Sequence, residues 1–469
     1  MNSIWQQFTL GNLQLQQWQN ASYLHRPIGL LRTWRQSSWL MQWSEPLGAL
    51  LVSLVIGLAP FVPNDLVKVL LLACASFWIL LTVADDAKTK ATPIHWLILL
   101  YWAIATVATA LSPVKADAFT GLMKLTSYLL LFALSARVMR LPRLRSIVIG
   151  VYLHVALIVS AYGVRQWFDQ VEPLATWNDP NSSQATATRV YSYLGNPNLL
   201  AGYLLPALIL SLVAVFAWQR KTAKALAVVM FLVNAACLAF TGSRGGWIAT
   251  IVAVVALVFL LHQWWGEYLP RFWQQWSIPI FIGSFAILLL AAIFLSESLR
   301  DRVFSIFAGR GDSSNNFRQN VWAAVIEMIR DRPILGIGPG NNAFNKIYPL
   351  YQRPRFTALS AYSVLLEIAV ETGFVGLACF LWLLVVTLNQ GWRQLLRLRQ
   401  TKNREGFWLI GAIAIIVGML AHGAVDTVWY RPEINTVWWL MVALIASYYP
   451  NSPSTRSPLL STSLSERQS

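Results

Sequence analysis

Long apolar runs, each closed by a few polar residues, recur along most of the chain. Each is close to the about 20 residues that a helix needs to cross a hydrocarbon core of roughly 30 Å. Runs such as 248–261 do not alternate apolar and polar positions, as the roughly 10-residue strands of a membrane barrel would. The pattern predicts an all-α, polytopic membrane helix bundle. Its twelve transmembrane helices are expected at 45–62, 65–83, 93–111, 119–138, 146–167, 197–218, 223–240, 245–262, 277–295, 361–388, 407–425 and 434–449. The tenth contains Gly373, which suggests a half-helix followed by a full span.

The bundle, 45–449, is flanked by two segments of different character. Residues 1–44 begin Gln-rich, with neither the apolar stretch nor the cleavage site of a signal peptide. Within them, 22–43 interleaves His25, Arg26, Arg32 and Arg35 with Leu30, Leu31, Trp34 and Trp39, the pattern of an amphipathic helix lying in the membrane interface. Residues 450–469 are expected to be a disordered cytoplasmic tail.

Composition agrees with this reading. Apolar residues make up 56% of the 469 and charged residues 12%, about half the charge a soluble surface carries. A soluble enzyme and a disordered chain are excluded. The formal charge of +16 would suggest nucleic acid in a soluble protein; here it is assigned to the inner loops, and no nucleic-acid partner is expected. Arg137, Arg140, Arg143 and Arg145 share one short connection, Arg220, Lys221 and Lys224 a second, and Arg393, Arg397, Arg399, Lys402 and Arg404 a third. The alternate connections are poor in basic residues, so both termini are expected in the cytoplasm. Cys74, Cys237 and Cys379 lie inside apolar runs and read as core residues. Trp264, Trp265, Trp273 and Trp276 read as an interfacial belt.

Two longer segments, 169–196 and 296–360, fall on the outer side. The second holds nine basic residues against five acidic ones, and arginine dominates lysine. It is either a solvated loop or an extracytoplasmic anion site, since guanidinium grips phosphate or carboxylate at two points. Ser313 to Asn316 is expected to cap a short amphipathic helix over 317–331, with Val321, Ala324, Val325, Met328 and Ile329 on its apolar side. The Gly-rich stretch 335–340 is neither a Walker loop nor a dinucleotide fingerprint.

Four strings taken together carry a resemblance. They are Arg189 followed by Leu194-Gly195-Asn196-Pro197-Asn198, Thr241-Gly242-Ser243-Arg244-Gly245-Gly246-Trp247, Arg330-Asp331-Arg332-Pro333 running to Gly340, and Glu371-Thr372-Gly373. In order and spacing the chain resembles the O-antigen ligase and polymerase superfamily. Its members join lipid-linked glycans on the outer face of the bacterial inner membrane, and that membrane is the implied location. Over nearly its whole length the chain looks like one cyanobacterial branch, the bicarbonate transporter family known as inorganic carbon transporter B. This second resemblance rests also on Arg310 to Arg318 and on His422-Gly423 with Asp426-Thr427 before Tyr430-Arg431-Pro432. One departure stands out. Ligases of the superfamily carry a His-Asn pair nine residues before the Glu, where this chain has Tyr362-Ser363.

The expected topology puts the candidate residues at one side. Arg165, Arg189, Arg244 and Arg318 are the candidate anion or diphosphate ligands, and His422, Asp426 and Tyr362 the candidate catalytic groups. Arg244 either snorkels to headgroups or is a buried anion ligand. Arg330, Arg332, Arg353 and Arg355 read as a solvated rim. His422 and Asp426, four apart, share a helix face, so Asp426 either orients the imidazole as a base or makes a structural hydrogen bond. No metal cluster and no cofactor are expected.

Two functions follow, with membrane lipids as surroundings in both. The end-to-end resemblance implies bicarbonate uptake at an arginine-lined extracytoplasmic cavity. The superfamily implies a metal-independent glycosyltransferase acting on polyprenyl-diphosphate-linked glycans. A scaffold subunit with a vestigial cavity is a third reading.

Overall fold

The computed structural model describes residues 2–10, 31–84, 91–174, 188–295 and 313–449, together with 300, 301, 303, 304 and 306. Among them the chain is all-α. The helices are α1 (Asn2–Phe8), α2 (Arg32–Ser37), α3 (Trp39–Gln42), α4 (Ser44–Leu58), α5 (Asn64–Val83), α6 (Pro93–Ala110), α7 (Lys115–Val138), α8 (Pro142–Phe168) and α9 (Pro197–Ala217). They continue as α10 (Lys221–Phe240), α11 (Arg244–Trp265), α12 (Arg271–Leu295), α13 (Ser313–Asp331), α14 (Asn341–Ile347), α15 (Val364–Gln400), α16 (Gly406–Val425) and α17 (Pro432–Ser447).

Each of the twelve expected spans coincides with a helix. Among the described residues, nine helices are long and apolar enough to cross a membrane. The other three are α4, α12 and α17; α4 and α17 have only 15 and 16 residues. The protein is a multi-pass membrane protein.

Burial sorts the helices into layers. In α9 and α16 the apolar windows are 83% and 72% enclosed by protein, against 28% for α5, α10 and α11. So α9 and α16 form the core, together with α17, buried at all its residues but Asn435, while α5, α10 and α11 turn one side toward lipid. Small residues let the backbones close in. A Cβ at Gly418 of α16 would lie 2.6 Å from the Ala253 Cβ of α11. Deep in the core, Ser160 Oγ donates to Asn234 Oδ1 at 2.6 Å and Asn234 Nδ2 donates to Ser211 Oγ at 3.3 Å, joining α8, α10 and α9.

One end of the bundle is held by basic residues. Arg145 pairs with Glu405, and its guanidinium lies 3.9 Å over the Tyr448 ring. Arg137 Nε meets Glu45 Oε1 at 2.9 Å. Trp264 sits at this end, buried against Gly406 and Phe407, and Trp265 packs on Phe216 and Phe407. Only Trp273 and Trp276 of the expected belt face outward. Trp264 is thus a core residue, and Trp265 is half-buried against the core. The three cysteines are free thiols in the core.

Two sequence expectations change. The interfacial helix over 22–43 lies outside the described residues up to Leu30; beyond it the chain forms two short helices, broken at Ser38, whose backbone is extended (φ −85°, ψ 118°). The outer-loop helix begins at Ser313, so Ser313 to Asn316 form its first turn instead of capping it. Arg302, Arg310, Asp312 and the tail 450–469 also lie outside the described residues.

Candidate functional site

The opposite end of α16 carries the candidate residues. The string 195–198 shows how its sequence builds the site. Gly195 takes a left-handed conformation (φ 69°), Asn196 caps α9 by accepting from the Asn198 and Leu199 amides, and Pro197 starts the helix. This places Asn198 in the first turn, where its side chain bridges two charges. Its Oδ1 accepts from Arg189 Nη2 at 3.2 Å, and its Nδ2 donates to Asp426 Oδ2 at 3.1 Å. Arg189 Nε donates to the Thr241 carbonyl at 2.9 Å. Its side chain therefore lies across the turn leading into α11.

Asp426 also faces Arg318. The helix α13 is amphipathic, and Val321, Ala324, Val325, Met328 and Ile329 are buried with Ala369 and Val370 of α15. That packing holds α13 against the end of the bundle, with Arg318 Nη2 3.6 Å from Asp426 Oδ2. Arg318 Nη1 donates to Ser314 Oγ at 2.9 Å, and its buried Nε has no hydrogen-bond partner.

His422 does not pair with Asp426. Asp426 is the C-cap of α16 in extended conformation (φ −153°, ψ 149°), so the one-face rule for residues four apart fails there. The imidazole is instead enclosed by glycines. Cβ atoms at Gly202 of α9 and Gly245 of α11 would lie 3.3 and 3.2 Å from its ring atoms. The ring is 1% exposed and neither nitrogen has a hydrogen-bond partner. Arg244, half-buried, heads α11, whose cap is Ser243 Oγ accepting from the Gly246 amide at 3.2 Å.

Tyr362 has φ 50°, and its ring stands edge-on to Phe317 at 5.3 Å. Burial pushes its phenol up to about 12, and the negative charge of Asp426 acts in the same direction. It therefore holds its proton at neutral pH and is no substitute for the histidine of the ligases. Arg165 stands apart. Its Nε pairs with Asp169 at 3.1 Å on the exposed end of α8. Arg330, Arg332, Arg353 and Arg355 are exposed, on the rim.

The Gly-rich stretch 333–340 clasps a broken helix. At Gly373 (φ 66°, ψ −173°) α15 leaves helical geometry. The freed groups are satisfied by the stretch: Ile337 N donates to Val370 O and Gly338 N to Glu371 O, both at 2.9 Å, and Phe374 N donates to Pro333 O at 2.7 Å. A Cβ at Gly373 would lie 2.1 Å from the Ile334 carbonyl oxygen. This is why Gly373 and the distant glycine string occur together.

Beside the clasp lies a cavity of about 140 Å³. None of the four candidate arginines lines this cavity. Its charged groups are Lys124, Glu367 and Glu371. Lys124 Nζ donates to the Tyr430 carbonyl at 2.7 Å. Glu367 Oε2 accepts from the Ala361 amide at 2.6 Å and Glu371 Oε1 from the Gly340 amide at 2.7 Å. The sequence signals for this cavity were Glu367 and Glu371, four apart within the tenth expected span, and Lys124 within the fourth, since charge within a span is costly.

No curated protein matches the chain, and nothing in the comparisons points to the bicarbonate-transporter branch. Residues 225–381, a third of the chain, match a family model described as O-Antigen ligase. The matched stretch contains Arg244, Arg318 and Tyr362, the clasp, and both cavity glutamates. Over those residues, this multi-pass membrane protein is similar to the O-antigen ligase family.

Proposed function

We propose that the protein is a glycosyltransferase that moves a glycan from a polyprenyl diphosphate carrier to an acceptor hydroxyl, on the outer face of a bacterial inner membrane with both termini in the cytoplasm. The observation that carries this is the convergence of Arg318 and Arg189 on Asp426, with Arg244 heading the helix packed against His422. Arg318 belongs to the loop helix and Asp426 to the membrane core, so carrier headgroup and acceptor can meet between them. Asp426 takes the proton of the acceptor hydroxyl, whose oxygen bonds to the anomeric carbon. The bond from that carbon to the diphosphate oxygen breaks, and the departing charge rests on guanidinium groups. The basic residues at the Arg145 end support the orientation.

Bicarbonate uptake lacks comparable support. The cavity beside the site has no arginine in its lining and holds the acidic side chains Glu367 and Glu371 with Lys124. The test is transfer by the purified, lipid-reconstituted protein, using a polyprenyl-diphosphate oligosaccharide as donor and membrane glycolipids as acceptor. Carrier diphosphate is expected to be released in step with product. Release without a glycosylated product, or neither, overturns the proposal.

A further inference from the structure

The cavity beside the arginine site has chemistry of its own. Aromatic rings of Tyr101, Tyr128, Trp429 and Trp438 share its wall with Lys124, Glu367 and Glu371. Each carboxylate has one oxygen held by a backbone amide, and among the described residues the other oxygen has no protein hydrogen bond. Two residues of the lining also carry a buried polar atom without a partner among the described residues. Thr427 is 3% exposed, and its Oγ1 makes no hydrogen bond; neither does the buried Nε1 of Trp429. Hydrogen bonds left unmade at buried groups are costly when nothing fills the space.

We propose that this cavity binds one neutral pyranose ring of the glycan substrate. The apolar faces of such a ring lie on aromatic side chains, and its hydroxyls donate to carboxylates and accept from an ammonium, an indole N–H or a threonine O–H. The volume is below the roughly 300–1,000 Å³ of a drug-sized site and suits a single ring better than an oligosaccharide. Thr427, in the cavity, follows Asp426 directly in the chain, so a ring held here lies beside the proposed base. The assignment of substrate rests on the glycosyltransferase reading; binding of the ring does not.

Titration of the purified protein with the methyl pyranosides of glucose, galactose and N-acetylglucosamine, followed by tryptophan fluorescence and saturation-transfer NMR, tests this. At least one is expected to bind saturably, and about tenfold more weakly to Glu371→Gln, the loss of one hydrogen bond. Gln keeps a carbonyl oxygen for the Gly340 amide. Thr427→Val, which leaves the clasp untouched, is expected to weaken binding as well. Arg165→Ala, in an exposed pair with Asp169 outside the cavity lining, is expected to leave it unchanged. If no pyranoside binds the wild type, if neither variant weakens binding, or if tetramethylammonium binds in the sugar's place, the proposal is wrong. Sugar binding without any transfer overturns the glycosyltransferase reading and leaves the cavity assignment standing.

Discussion

Arg318 and Asp426 meet 3.6 Å apart, although one stands on the loop helix α13 and the other at the end of the core helix α16. Their side chains are 17% and 11% exposed, so the pair is sheltered yet reachable. It ties a segment of the long loop to the membrane core, and the buried Nε of Arg318 has no hydrogen-bond partner among the described residues.

Arg318→Ala should lower transfer by about 10²–10³-fold, the effect of removing one donor to developing charge. Arg318→Lys should restore little, because a point charge does not reproduce the planar fork. Arg165→Ala, altering an exposed pair with Asp169, should match wild type. Initial-rate assays on matched protein amounts check all three.

Asp426→Asn should depress kcat with little change in KM, since the amide still meets Asn198 but takes no proton. Steady-state kinetics with varied acceptor separate the two parameters. Equal loss in Asp426→Asn and His422→Ala would point to a shared structural role instead.

Tyr362→Phe should keep neutral-pH activity within a few-fold. The phenol, raised to about 12 by burial, is protonated on both sides of neutrality. Between the ordinary tyrosine value near 10 and about 12 the unfolded chain loses this proton and the folded chain keeps it. The contribution of Tyr362 to stability is thus intact below 10 and falls as pH rises through that window. Rate profiles from pH 6 to 9 should superimpose for the two proteins, and thermal unfolding above pH 10 should be less pH-sensitive in the variant.

Gly373→Ala should open the clasp. The residue would face both a left-handed φ of 66° and a contact 2.1 Å from the Ile334 oxygen. Backbone strain alone costs about 1–3 kcal/mol. Detergent-solubilised protein should melt lower by size-exclusion thermal scanning, with a greater loss than Gly150→Ala, where a Cβ has open space.

Orientation is checked by labelling. The native cysteines are buried and should stay silent. Glu327→Cys, on the exposed side of α13, should react with an impermeant maleimide added outside intact cells. Lys402→Cys, in the exposed turn between α15 and α16, should react only after permeabilisation.

Local features of the sequence determined the helices and their number. A run of about 20 apolar residues has one stable answer in lipid, because each backbone polar group must find its partner within the segment. Caps and breaks were equally local: Asn196-Pro197 starts a helix, and Gly373 ends one. The pairing of side chains from different helices was not local. The sequence put His422 and Asp426 on one face, but Asp426 lies beyond the last helical residue, and its partners come from α9 and α13. Spacing of four puts Glu367 and Glu371 on one face of α15, but nothing in the sequence joins them to residues 124 and 427, and only the packing of α7, α15 and α17 encloses a cavity there. Contacts of that kind depend on which helix faces meet. That choice is made by shape, by small residues and by buried polar groups acting together over the whole bundle.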